Sequence, residues 1–297
     1  MSALRFWLPA LAALGLAQST AAQSTAAQGS IIVEGQRLHS RIDDFVRRLT
    51  PARQDQLQRF VQDACPAVVG LSSELANDVV GRIRRVAHAV GAPVAKARCS
   101  PNIVLLVVHD KQMAIQQLRA GLPGVFGDKR ASDLRQLVEN PGPTAAWQVS
   151  NRLGADGMPL TMVRLNPTDG TNDAVPMVRG AFLSRTSMQI MRTVDLSLLV
   201  VEAPALDQVD TRQLADYTAM RTLAPASAAE NLPARSILQL FNAGMSPLEA
   251  PESVTWWDFA FLKSLYRSSN KVEASAQRSQ IRRMMMRELD KLPVTER

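Results

Sequence analysis

The sequence predicts an α+β fold: a mixed sheet with packed helices, followed by a basic amphipathic C-terminal helix. Three observations predict it. Leu75, Val79, Ile83, Val86 and Val90 recur at helical spacing. Two nearly continuous apolar runs, Asn102–Val108 and Leu196–Val201, have strand length and read as strands buried on both faces. The 297 residues are 46% apolar and 21% charged, the balance of a chain that buries a substantial core.

The chain opens as an export signal does. Arg5 supplies a short positive region, and the apolar run from Phe6 to Ala17 is too short to span a bilayer. Two copies of Gln-Ser-Thr-Ala-Ala follow, at 18–22 and 23–27, placing small residues where a signal peptidase needs them. The expectation is a signal peptide over 1–27, cleaved after Ala22 or after Ala27, and a mature protein in the periplasm or secreted; an uncleaved anchor is the alternative. No Cys lies directly behind the apolar run, which argues against a lipoprotein. No later segment is apolar for long enough to predict a membrane helix.

The remainder divides into an α+β domain over 28–268 and a basic tail over 269–297. Ile31–Glu34 reads as a strand and Leu38–Leu49 as a helix ending before Pro51. Leu57–Val69 alternates like one or two strands around Cys65 and Pro66. The Leu75–Val90 helix is closed by Gly91, with Arg82, Arg84 and Arg85 turned away from its apolar stripe. After the strand ending at Val108, Asp110 is placed to cap the next helix. Residues 121–180 are rich in Gly, Pro, Asn and Asp; they predict a short helix at Ser132–Val138, strands at Ala146–Ser150 and Leu160–Leu165, and a loop from Asn166 to Pro176. Behind the second buried strand lies a helix over Thr211–Ala224, where Asp210 and Gln213 have capping-box spacing. Another helix starts at Thr255, with Asp258 three residues on.

Cys65 and Cys99 are the only cysteines, and in an oxidising compartment a lone pair forms a disulfide. A redox pair or a pair of metal ligands is the alternative, but neither lies in a Cys-x-x-Cys motif. Charge is uneven. Lys263–Arg297 holds nine basic against four acidic residues, whereas the chain between the signal and that point holds 24 against 23. The net charge of +7 therefore belongs mostly to the tail, and no nucleic-acid-binding body is indicated. In the tail, Ile281, Met285, Leu289 and Leu292 fall on one side of a helix, while Arg283, Arg287 and Lys291 fall on another. Arg278, Arg282, Arg283, Arg287 and Lys291 are thus candidates for an anionic membrane surface or a partner, with docking on the body as the alternative. Met284, Met285 and Met286 diverge by about 100° each and cannot converge on one metal ion.

The order of elements, with Ser236-Ile237-Leu238 ahead of Phe241-Asn242 and then Thr255-x-x-Asp258-x-x-x-Leu262-x-x-Leu265-Tyr266, resembles zincin metalloproteases. It is similar in particular to uncharacterised exported bacterial proteins of zincin-like layout. The resemblance covers roughly residues 57–266. It implies that the helix after Asp210 stands where zincins carry His-Glu-x-x-His, that Ser236-Ile237 stands at the turn beneath the metal, and that the Asp258 helix packs behind it. Here the motif positions read Asp216, Tyr217 and Met220, so both histidines and the general base are replaced. A catalytic zinc needs about three N or O protein ligands, and Asp216 alone does not supply them. His39, His88 and His109 are the only histidines, and no two lie four residues apart. No metal and no cofactor is expected.

Asp216 falls on an apolar side of a buried helix and must be paired, hydrogen-bonded or neutral. Asp216, Tyr217 and Met220 mark the candidate cleft. Three readings follow: a non-catalytic protein binding a peptide or envelope partner, a hydrolase with an unrecognised site around Asp216 and Tyr217, or a peripheral envelope scaffold acting through the tail.

Overall fold

The computed structural model describes residues 36–50, 55–96, 98–164, 174–177, 187–225 and 231–293. The segment read as a signal peptide, the strand at Ile31–Glu34 and most of the loop from Asn166 lie outside them. The chain divides into two compact units, Met1–Ser40 and Arg41–Arg297; only the first helical turn of the former, 36–40, is described.

The described residues build a mixed α+β structure with seven α-helices and a four-stranded mixed sheet. The strands are β1 (Pro66–Val69), β2 (Ile103–Val108), β3 (Thr144–Gly154) and β6 (Ile190–Glu202), in the order β1-β2-β6-β3. β1, β2 and β6 are parallel, and β3 runs antiparallel along the edge. β4 (Thr161–Arg164) and β5 (Ala174–Met177) form a separate antiparallel ribbon. β5 occupies the end of the segment expected to be loop. The helices are α1 (36–49), α2 (Ser73–Val90), α3 (Lys111–Gly121), α4 (Ala131–Glu139), α5 (Thr211–Leu223), α6 (Trp256–Arg267) and α7 (Ala274–Leu289).

Strand alternation sorts the core into two layers. Ala145, Trp147, Leu198 and Val200 face Ile115 of α3 and Phe126, whose ring stacks on Trp147 at 5.0 Å. The intervening Leu199 and Val201 are fully buried on the other face, where Tyr217 of α5 bonds Thr144 across 3.1 Å. β2 is covered unequally: Ile103, Leu105 and Val107 are buried, while Val104, Leu106 and Val108 are partly buried beneath α3 and α4. The strand expected to be buried on both faces is thus fully buried on one face and partly buried on the other.

Caps fall where the sequence places them. Asp110 accepts from Met113 N, and Asp210 and Gln213 close a reciprocal capping box on α5. Gly91 ends α2 in the left-handed region, at φ 82°. Gly70 follows β1 at φ 94°, and a Cβ there would lie 2.0 Å from the carbonyl oxygen of Val107, so no larger residue fits. Leu75, assigned to the apolar stripe of α2, is exposed in the first turn.

Strand pairing over Leu57–Val69 is confined to β1 and isolated bridges at Arg59 and Ala64. Side-chain amides replace the missing ladder. Gln56 donates to the carbonyls of Ile190 and Asn270 and accepts from Arg192 N, while Gln277 of α7 accepts from Leu57 N at 2.7 Å and donates back to Leu57 O. These bonds answer buried backbone groups that would otherwise be unpaired.

Cys65 and Cys99 form a disulfide, with Cα atoms 6.0 Å apart and a sequence separation of 34. It ties the start of β1 to the segment after α2. Replacing both with Ser is expected to lower stability by about 3–4 kcal/mol in the chain-entropy account of a loop this long. Urea denaturation of the double variant against the oxidised protein checks it; an unchanged midpoint would show that the loop is already held by its other bonds.

Candidate functional site

The site is built on α5, buried all round from Gln213 to Leu223. Such a helix has no solvated face, so its polar side chains must find partners inside. Thr218 and Thr222 bond back to carbonyls one turn earlier, at Leu214 and Thr218. Asp216, at 0% exposure, is held by three donors. Arg82 Nε and Nη2 reach its two oxygens at 2.6 and 2.8 Å in a bidentate fork, and Val254 N donates to it at 2.9 Å. The Asp216 hydrogen bond holds the Arg82 guanidinium above its usual pKa, against the opposing effect of burial. Arg221, one turn further along, contrasts with it: it is 7% exposed, and its Nε and Nη1 have no hydrogen-bond partner among the described residues. Its burial therefore opposes folding.

This geometry corrects two sequence expectations. Arg82 does not merely face away from the core; its long stem carries the guanidinium 28% exposed to the carboxylate of another helix. Arg84 likewise turns to Ala95 O and to Cys99 Sγ, at 3.3 Å for the latter. Nor do Asp216, Tyr217 and Met220 line a cleft. All three are buried, Tyr217 pointing to Thr144 with Phe241 edge-on to its ring at 4.8 Å.

The cleft lies on the far side of the Arg82–Asp216 pair. A groove of about 1190 Å³ opens between α2, the start of α6 and the segment before it, and both Arg82 and Val254 belong to its wall. Arg41, Arg85 and Arg235 line it as well, together with Trp256, Trp257 and Leu248. Arg41 lies over the Trp257 ring at 4.9 Å and donates to Pro233 O. Arg235 donates to Glu249 O. Arg85 is exposed, with no hydrogen-bond or ion-pair partner among the described residues. Trp256 is 53% exposed, unusual for an indole that begins a helix. Among the described residues Glu252 is the only carboxylate of the lining.

Asp258 fixes the rim. It caps α6 by accepting from Thr255 N and Oγ1, and it also accepts from Ser236 Oγ at 2.5 Å and Ile237 N at 2.8 Å. One buried carboxylate thus locks the Ser236 turn to the helix carrying Trp256. Burial pushes its pKa up, opposed by those hydrogen bonds. A carboxyl whose folded pKa lies above its unfolded value contributes stability at low pH that is lost as pH rises through the folded pKa. Asp258→Asn can accept from the backbone donors with Oδ1 and donate to Ser236, so it is expected to stay within about 1 kcal/mol of the parent at neutral pH and to flatten the pH dependence. Asp258→Ala leaves buried N–H groups unpaired and is expected to lose about 1–3 kcal/mol. Urea titrations at acid and neutral pH check both; equal losses for Asn and Ala would contradict this arrangement.

The other candidates are placed as follows. His39, His88 and His109 are each exposed. Among the described residues no three His, Cys, Asp or Glu side chains gather as a metal would require. In α7, Ile281, Met285 and Leu289 are buried, and Leu292 lies beyond the helix end, partly exposed. Arg282 pairs with Asp43 at 2.6 Å and Arg278 donates to Thr50 Oγ1 at 3.0 Å, so these two turn to the body. Arg283, Arg287 and Lys291 are exposed, Lys291 lying 3.3 Å from Glu288. Among the described residues no helix is long and apolar enough to cross a membrane.

Sequence reasoning missed the groove because its residues come from four separate stretches. The one local signal was the Trp256-Trp257 pair in the first turn of a capped helix, where a large apolar side chain must face outward. No family model, no curated protein and no solved structure matches this chain.

Proposed function

We propose that this is an exported, non-catalytic binding protein of zincin-like layout that takes a peptide in the groove beside Asp216. The observation that carries the reading is the Arg82–Asp216 fork: the carboxylate that the resemblance sets where zincins hold their first metal ligand is engaged by an ion pair and a backbone bond, and its partners Arg82 and Val254 line an open groove. With three donors on its two oxygens and no exposed surface, the Asp216 carboxylate is taken up by structural bonds and is poorly placed to bind a metal or activate a water. The tether from Asp258 to the Ser236 turn supports the zincin-like layout, and the disulfide supports an oxidising compartment. At about 1190 Å³ the groove exceeds what a small ligand needs.

The hydrolase reading is weaker, because neither Asp216 nor Tyr217 reaches the groove surface. The membrane reading keeps only electrostatics, since the apolar face that an interfacial helix would insert is already buried. The test is elemental analysis after dialysis against a weak chelator, with peptide-hydrolysis and peptide-binding assays on the same sample. Binding without zinc and without cleavage is expected. One zinc per chain, lost together with hydrolysis in Asp216→Ala, would make the protein an enzyme and end this reading.

A further inference from the structure

We propose that the groove selects acidic peptides carrying apolar side chains, its carboxylate contacts made by Arg85 and Arg235 and its apolar contacts by Trp256 and Leu248. This rests on the reading of the groove as a peptide site and adds the chemistry of the ligand. The lining carries positive charge in excess of its internal partners. Of the four arginines in the lining, Arg82 is neutralised by Asp216. Of the other three, Arg41 is engaged by the Trp257 ring and by Pro233 O, which leaves Arg85 and Arg235 beside one carboxylate of the lining among the described residues, Glu252. Arg235 gives one N–H to a carbonyl, and Arg85 has no hydrogen-bond or ion-pair partner among the described residues.

A planar guanidinium with free paired N–H groups matches a carboxylate in bidentate fashion, which a single lysine ammonium would not do. Exposed indole and leucyl surface beside these forks gains by covering an apolar side chain. Residues that alternate in kind along an extended peptide present both surfaces at once. Duplex nucleic acid is disfavoured because the chain from 28 to 262 is nearly balanced in charge and offers no extended basic face for a run of phosphates.

Fluorescence anisotropy with the full chain decides it, using fluorescein-labelled hexapeptides of alternating Glu and Leu and of alternating Lys and Leu. The Glu/Leu peptide is expected to bind on the order of tenfold or more tightly than the Lys/Leu peptide, with an affinity that falls as salt is raised. Arg85→Glu should weaken the Glu/Leu peptide by a similar factor and strengthen the Lys/Leu peptide. Trp256→Ala should weaken the Glu/Leu peptide without altering the salt slope. Both replaced side chains are exposed, so melting curves should superimpose on the parent and exclude unfolding as the cause.

Equal binding of both peptides, each weakened by Trp256→Ala, would overturn the acidic selectivity while leaving a peptide groove. Binding of neither would overturn both readings. Glu/Leu binding insensitive to Arg85→Glu and to Arg235→Glu would place the peptide elsewhere and overturn the proposal. Phosphatidylglycerol vesicles form a separate arm. If they bind, and that binding is lost in Arg85→Glu while the Glu/Leu peptide does not bind, the groove is a phosphate headgroup site and the acidic-peptide proposal fails.

Discussion

Replacing Arg82 with Ala is expected to destabilise the protein by about 3–5 kcal/mol, the range for stripping one partner from a buried ion pair. Asp216, at 0% exposure in the parent, would keep Val254 N as a donor but lose both bonds of the fork. Asp216→Asn should lose less. Its amide oxygen can still accept from Val254, and Arg82, at 28% exposure, can recover hydration. Replacing both partners with apolar residues of similar volume, Arg82→Met with Asp216→Leu, should restore much of the loss. Urea denaturation with a constant m-value is the measurement. A loss under about 1 kcal/mol for Arg82→Ala would mean that the pair is solvated and loosely held, and the floor of the groove would need another explanation.

Truncation before α7 is expected to abolish cooperative unfolding altogether. The sequence alone left the tail to an anionic surface or a partner, with docking on the body as the alternative. The structure docks it, for Ile281, Met285 and Leu289 are buried, with α7 packed along α6. Burying three side chains of this kind contributes about 1.5–3 kcal/mol each, which together rivals the whole net stability of a typical domain. Gln277 adds its paired bonds to Leu57, which the truncated chain would leave buried and unanswered. Ile281→Ala isolates the packing component, with an expected loss of about 2–5 kcal/mol. Far-UV and near-UV circular dichroism of the chain ending at Lys271 provide the check. A truncated protein melting at the parent temperature would show that α7 adds nothing to the core.

These two results bear on function as well as stability. Arg82 lies in the wall of the groove and Asp216 holds it from behind, so their variants test how far the groove depends on a rigid support. The tail, once docked, leaves Arg283, Arg287 and Lys291 outward but holds its apolar stripe within the body. Any attraction to an anionic surface through these residues is then purely electrostatic and should fade with salt.

The sequence by itself determined the mixed α and β character, the α2 and α5 helices with their caps, the central strands β2 and β6, and the pairing of the two cysteines. Each is legible because it depends on local chemistry: a period of 3.6, an Asp three residues ahead of a backbone N–H, an apolar run of strand length, an even cysteine count. It also showed that Asp216 needed a partner, because a carboxylate on a buried helix is costly wherever that helix lies. Only the tertiary structure decided which partner. Arg82 is 134 residues away in sequence, on a helix whose period placed it facing outward, and nothing local distinguishes it from Arg84 or Arg85. The extension of β3 and β6 into polar residues was likewise hidden, because Arg192 N is satisfied there by the side chain of Gln56, a partner far away in sequence. The groove was the least legible feature. Its forks and indoles come from α1, α2, the turn at Arg235 and the start of α6, and they acquire a common purpose only when the chain brings those surfaces together.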